Sequence, residues 1–320
     1  MTDGLAVVPA RDRRDQARQL AEQVTATIGR IVLGKDREIQ LALACLLARG
    51  HLLIEDVPGV GKTLLARAIA IALGLEYRRI QFTSDLLPAD IIGVSVFEQN
   101  EAAFRFHEGP LFAELVLADE INRATPKAQS ALLEAMEEQQ VTADGKTYDL
   151  HEPFFVIATQ NPMHQIGTFP LPESQLDRFL MRISLGYPAA QLERQLLTGK
   201  DRRSMLNTLE SSLSKQDIIE MQKTAHSVHV SEAILDYAQA LVRFTREAPE
   251  IELGLSPRGT QDLIKAARCW ALISGHSGVH PEDLKTVFPP VTGHRLRSRN
   301  NTSHSDPDIA AFVLESVAVP

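Results

Sequence analysis

The sequence predicts an α/β fold: a three-layer, mostly parallel sheet carrying a glycine-rich turn, followed by an all-helical domain. Three observations predict it. Through the first 187 residues, short apolar runs alternate with longer segments of helical period, the pattern of a parallel sheet covered on both faces. One apolar run passes through a glycine-rich turn straight into a helix. Beyond Tyr187-Pro188 the helical period continues and no strand-like run stands out.

Taken in order, residues 12–30 are charged and moderately amphipathic, and read as a helix. Gly34 interrupts before a second helix over 35–48. Residues 51–55 suit a buried strand, 56–61 a Pro/Gly turn, and 62–73 an apolar-periodic helix ended by Gly74. A strand is expected at 77–82. The apolar run 115–118 ends in acid, and 127–138 is a helix. Asp144-Gly145 between alternating residues predicts a hairpin over 141–150, and 154–158 is another buried strand. Helices are then expected at 191–197, 215–224, 231–247, 258–274 and 281–287. The expected division is a core over 1–187, with 1–28 as an N-terminal helical extension, and a helical domain over 188–320.

Composition excludes several classes. Of 320 residues, 33 are Lys or Arg and 41 Asp or Glu, a formal charge of −8 that makes a poor general nucleic-acid binder. Two cysteines, Cys45 and Cys269, exclude a disulfide framework and a cysteine-rich zinc site, and both read as buried thiols. The ten histidines show no metal-ligand spacing. The N-terminus lacks the apolar stretch of a signal peptide, and residues 41–48 are too short to span a bilayer. A soluble, cytoplasmic protein without membrane insertion is expected. Asn301-Thr302-Ser303 fits a glycosylation acceptor but has no secretory context. The basic cluster 294–299 reads as a tail, and the acids following Met136 as a solvated helix face.

The string Leu52-Leu-Ile-Glu-Asp-Val-Pro-Gly-Val-Gly-Lys-Thr63 carries the most chemistry. A strand, a glycine turn and a helix start leave successive backbone N–H groups pointing inward, where the helix dipole adds positive potential. Pro58, Gly59, Val60, Gly61, Lys62, Thr63 and Leu64 are the candidate nucleotide contacts. Lys62 is placed to reach β/γ-phosphates and Thr63 to offer its hydroxyl to Mg²⁺. The strict pattern asks for glycine where this chain has Asp56. Leu115-Val-Leu-Ala-Asp-Glu120 sets two carboxylates at a strand's carboxyl end, where parallel sheets bind ligands. Asp119 can share the Mg²⁺ with Thr63, and Glu120 can polarise an attacking water. A plain acidic helix cap is the alternative.

Asn161 ends the next apolar strand. It either orients water or serves as an ordinary turn residue before proline. Arg178 is either a finger given to a neighbouring subunit's nucleotide or a surface ion pair. Ser256-Pro257 starts a helix, and Arg258 there opposes the dipole, an odd place for stability alone.

These residues resemble the MoxR family of AAA+ ATPases, in the helix-two-insert group. The resemblance lies in Glu55-Asp-Val-Pro-Gly-Val-Gly-Lys-Thr63, Gln81-Phe-Thr-Ser-Asp-Leu-Leu-Pro88, Gly109-Pro-Leu-Phe112 and Leu117-Ala-Asp-Glu-Ile-Asn-Arg-Ala124. It continues in residues 127–138, Ala158-Thr-Gln-Asn-Pro162, Leu176-Asp-Arg-Phe179 and Ser256-Pro-Arg-Gly259, so that it covers about residues 30–296. It implies an AAA+ core with a helical lid over 188–320. It implies that Lys62 and Thr63 belong to the first Walker motif, Asp119 and Glu120 to the second, and Asn161 to sensor one. By the same resemblance Arg178 is the arginine finger and Arg258 sensor two, the latter acting within its own subunit or on a neighbour's nucleotide. Arg123 is assigned loosely to the same interface. Gly93 to Gly109 resembles the hairpin inserted in helix two. ATP and Mg²⁺, a homo-oligomeric ring of six and chaperone-like maturation or cofactor insertion are implied. So is a partner with a von Willebrand factor A domain; the client protein is not. A chelatase-type ATPase subunit and a nucleic-acid motor share the fold. The motor would put bases on the two hairpins, which carry only Arg105 and Lys146. A nucleotide switch without turnover would not need Glu120.

Overall fold

The computed structural model describes residues 10–161, 167–198, 202–299 and 307–319. The start of the N-terminal extension, Pro162 and the Asn301 acceptor lie outside the described residues. Two helices, α1 (Ala10–Gly29) and α2 (Asp36–Leu47), precede β1 (Leu52–Glu55) and α3 (Lys62–Ala72). Then follow β2 (Tyr77–Gln81), α4 (Pro88–Ile92) and a hairpin of β3 (Gly93–Glu98) and β4 (Ala103–Glu108). Next come β5 (Leu115–Asp119), α5 (Pro126–Glu138) and a second hairpin, β6 (Gln140–Ala143) with β7 (Lys146–Asp149). The core ends with β8 (Phe155–Gln160), α6 (Glu173–Leu176) and β9 (Met181–Ile183). Both hairpins stand where they are expected. The edge strand β9 was not foreseen.

The five core strands form one sheet, ordered β2-β5-β8-β1-β9, with every pairing parallel. The pleat divides its apolar residues between two layers. Leu52, Ile54, Leu115, Leu117, Phe155 and Ile157 face α1–α3. Leu53, Val116, Ala118, Val156 and Ala158 face α5. Because all strands run one way, their carboxyl ends share one edge. His51 marks the opposite edge: its Nε2 donates to the Met136 carbonyl at 3.2 Å, and its Nδ1 accepts the Val156 N–H at 3.0 Å. Burial pushes its pKa down to about 4, so it stays neutral. α5 therefore runs back from the carboxyl edge and ends beside the start of β1.

The remaining elements are α7 (Ala190–Thr198), α8 (Arg202–Leu206), α9 (Lys215–His226), α10 (Glu232–Glu247), β10 (Ile251–Leu253), α11 (Pro257–Ser274), α12 (Pro281–Thr292), β11 (Arg297–Ser298) and α13 (Pro307–Ser316). Ser256 caps α11 as its sequence suggests, accepting the Gly259 N–H at 3.0 Å. Both cysteines are buried free thiols. The apolar cluster on the α1–α3 face continues without a break through α9, α10, α11 and α12. Among the described residues, no helix is long and apolar enough to cross a membrane.

Two expectations need correction here. The second half is not strand-free: β10 and β11 pair antiparallel, Ile251 against Ser298 and Leu253 against Arg297. Each is too short to show a period of two. Nor is 294–299 a tail, since His294, Arg295 and Leu296 are buried. Arg295 donates to Asp177 and Asp262 at 2.7 Å each, and to the carbonyls of Val291, Phe179, Asp177 and Leu180. A run of basic residues looks solvated until its acids arrive from distant elements. Replacing Arg295 by Ala leaves the buried Asp262 only Lys265, at 3.5 Å, and leaves Asp177 only the Ser256 hydroxyl as a side-chain partner among the described residues. We expect a loss of about 3–5 kcal/mol, read as a lowered urea midpoint.

Candidate nucleotide site at the carboxyl edge of the sheet

β1 delivers the chain to a turn over residues 56–61, and α3 begins at Lys62. Gly59 and Gly61 sit at φ 88° and 98°, where a side chain is strained, and no atom lies within 4 Å of where their Cβ atoms would be. Gly61 stands at the N-cap of α3, and no side chain caps the helix. The first N–H groups of α3 thus lack a side-chain partner at the cap and face open space, where the helix start contributes positive potential.

Asp56, the departure from glycine, has a structural reason. Its Oδ1 accepts the Val57 N–H at 2.7 Å. Its Oδ2 accepts the Ser184 hydroxyl at 2.8 Å and the N–H groups of Leu185 and Gly186 at 2.7 and 2.6 Å. Burial pushes this carboxyl's pKa up, but the donors from Gly186, Ser184, Val57 and Leu185 outweigh it and hold it below its ordinary value. Asp56 stakes the turn to the exit of β9. The Lys62 ammonium donates to the Asp56 carbonyl and, at 3.4 and 3.5 Å, to those of Val57 and Gln160. Burial lowers its pKa, against the pull of Asp56, Asp119, Glu120 and Glu55.

Asp119 ends β5 and is buried. The Thr159 hydroxyl donates to its Oδ1 at 2.6 Å, and Arg79 donates to Oδ2 at 2.7 and 3.0 Å. The same Thr159 oxygen accepts the Glu120 N–H at 2.9 Å. One hydroxyl on β8 therefore sets both acids. Glu120 is left-handed, at φ 57° and ψ 50°, a costly conformation for this residue type. Its carboxylate caps no helix; it meets Arg123 at 2.9 Å and the Gln81 amide at 3.3 Å. The acidic-cap alternative is thereby set aside. Asn161 follows β8 with its Oδ1 buried and without a hydrogen-bond partner among the described residues. An orphan of this kind costs about 1–3 kcal/mol and marks a place for an incoming polar group.

Next to Val57 lies a cavity of about 450 Å³ walled by Glu38, Leu41, Ile183, Pro289 and Pro290. Its size and mixed lining suit a nucleoside.

The structure thus gathers Lys62, Thr63, Asp119, Glu120 and Asn161 at one edge. It does not bring Arg178 and Arg258 there. Arg178 lies just before β9, and α11 opens beside it, at the opposite edge. Both bind Glu137 at the end of α5: Arg178 at 3.0 Å on Oε2, Arg258 on Oε1. Glu137 is exposed, as expected from sequence, but it is also paired, which sequence did not show. Arg79, Gln81 and Thr159 make contacts for which sequence reading gave no role. Arg79 and Gln81 had one available signal, their i, i+2 spacing on a strand, which points both to one face. The histidines give one further surprise. Ligand-type atoms of His276, His280 and Asp283 lie within 4.8 Å of one another. Asp283, however, is already occupied by the His276 ring and by the N–H of His280, the N-cap of α12.

The donor set fits a magnesium nucleotide: uncapped helix N–H groups, a lysine, a helix-start hydroxyl and a buried carboxylate. Comparison with known proteins agrees. Residues 51–181 match the model of the ATPase family associated with various cellular activities (AAA), and residues 243–311 match the AAA lid domain. An uncharacterised Bacillus subtilis protein, YeaC, is 47% identical, with 92% of each chain covered. Chaperone MoxR1 of Mycobacterium tuberculosis is 39% identical over 93% of this chain and 82% of its own. The crystal structure of a candidate ATPase from Cytophaga hutchinsonii superposes with a TM-score of 0.87 at 36% identity, covering 97% of this chain and 98% of that one.

Proposed function

We propose a working cycle for this chain, which belongs to the MoxR family of AAA+ ATPases. The chain is an ATPase. In the cycle, the backbone N–H groups of residues 59–64 cradle the β- and γ-phosphates, and Lys62 leaves the turn carbonyls to pair with them. The base lies in the cavity beside Val57 and Pro289. Thr63 and Asp119 would hold Mg²⁺, which when bound would offset the charge that develops on the phosphate oxygens. Glu120 takes the proton of the attacking water, and Asn161 aims that water with its free Oδ1. Gln81 and Arg123 keep the Glu120 carboxylate pointed, while Thr159 spaces it from Asp119. Arg178 and Arg258, at the far edge, serve the nucleotide of a neighbouring copy, which requires a homo-oligomer; six copies close the ring.

The observation that carries this reading is the uncapped start of α3 beneath two open left-handed glycines, with Asp119 and Glu120 acting on Lys62 from a nearby strand end. Lys62→Ala is the test. Loss of a charged hydrogen bond to phosphate weakens binding of a fluorescent ATP analogue about 10- to 100-fold. Unchanged affinity refutes the cradle.

Cleavage drives work on a client protein in the cytoplasm, in the manner of a chaperone that matures partners or inserts their cofactors. A von Willebrand factor A domain partner accompanies it. The β3–β4 hairpin supports a protein client over a nucleic acid. It exposes Phe97, Phe104, Val94 and Val96, while Arg105 and His107 are both paired with Glu98.

A further inference from the structure

We propose that Glu137 is a positioning residue that holds Arg178 and Arg258 together as one fork for a phosphate carried by a second copy of the chain. This rests on the reading that those arginines act on a neighbour's nucleotide.

Three separate parts of the fold meet at this carboxylate: the end of α5, the loop before β9 and the first turn of α11. Each oxygen takes one arginine, Oε2 from Arg178 and Oε1 from Arg258, through an Nη2 atom in both cases. Two guanidinium groups brought this close repel each other, and Glu137 offsets that repulsion. It also offsets the unfavourable place of Arg258 at a helix start. Each guanidinium has five N–H donors, and Glu137 takes a single Nη2 group from each. The side chains are 30% and 42% exposed, so the other donors of the fork are within reach of an incoming phosphate. Phosphate and Glu137 can therefore be held at once.

The backbones beneath are fastened independently. Asp177 accepts the Ser256 hydroxyl at 3.0 Å and Arg295 at 2.7 Å, and Ser256 caps α11 two residues before Arg258. Core loop and lid helix stay side by side without Glu137. What the carboxylate adds is the direction of the two arginine heads. A merely adhesive ion pair would change stability; a positioning residue changes turnover.

The test is steady-state ATPase activity of the full chain carrying Glu137→Gln, Glu137→Asp, and each combined with Arg178→Ala. In Glu137→Gln, kcat falls about 10- to 100-fold while KM for ATP and the oligomer's mass hold, because the cradle is untouched. Glu137→Asp recovers part of the rate. Added to Arg178→Ala, Glu137→Gln costs less than about twofold more, since its effect runs through the arginine. Wild-type kcat in Glu137→Gln overturns the proposal, as does an equal loss in both backgrounds. If Glu137→Gln does not fold, Glu137→Asp decides alone: lowered kcat at unchanged KM supports the fork, wild-type kcat overturns it. Wild-type turnover by Arg178→Ala would instead remove the finger reading itself.

Discussion

Glu120→Gln keeps its ATP and loses phosphate release by roughly 10²- to 10⁴-fold, the range expected when a general base is removed. The amide preserves size and one acceptor oxygen, and Gln81 and Arg123 both reach the same Glu120 oxygen, so their contacts do not have to collapse. What it cannot do is accept a proton from water. Nothing in the cradle changes, so binding of a fluorescent ATP analogue stays near wild type while a phosphate-release assay goes flat. The left-handed backbone at Glu120 sharpens the expectation. Strain of this kind persists where the surrounding structure demands one direction of the side chain. Wild-type release in this variant would refute the role given to Glu120.

Arg178→Ala lowers turnover about 10³-fold or more, as loss of a charge-stabilising arginine does in phosphoryl transfer. Arg178 sits at the sheet edge opposite its own chain's cradle, so the effect crosses between copies. Mixing tells this apart from a local defect. A copy lacking the finger still has its acid, and a copy carrying Glu120→Gln still has its finger. Interfaces that pair an intact acid with an intact finger exist only in mixtures of the two. Partial recovery on mixing is expected; none at any ratio would count against a shared site.

The central strands were legible because they are buried on both faces. Leu115–Asp119 is apolar until its last residue and needs no alternation to be found. The phosphate turn was legible because glycines, lysine and helix start are contiguous. What escaped depends on partners far away in the chain. Glu137 and Arg258 are 121 residues apart, and Arg295 and Asp177 are 118 apart. Nothing local distinguishes these charges from solvated ones. Thr159 escaped for another reason. A threonine within an apolar strand is ordinary, and only the register of β8 beside β5 brings its hydroxyl to both acids.

Asp56 gives the phosphate turn a mechanical connection that glycine in its place would not supply. Its carboxylate grips Leu185 and Gly186, the very segment through which the chain leaves the sheet for the lid. Cradle and lid strap are thereby yoked. One side chain thus fixes Val57 in the turn and Leu185 and Gly186 at the exit of the sheet, so the turn cannot shift against that exit without breaking hydrogen bonds to a single carboxylate.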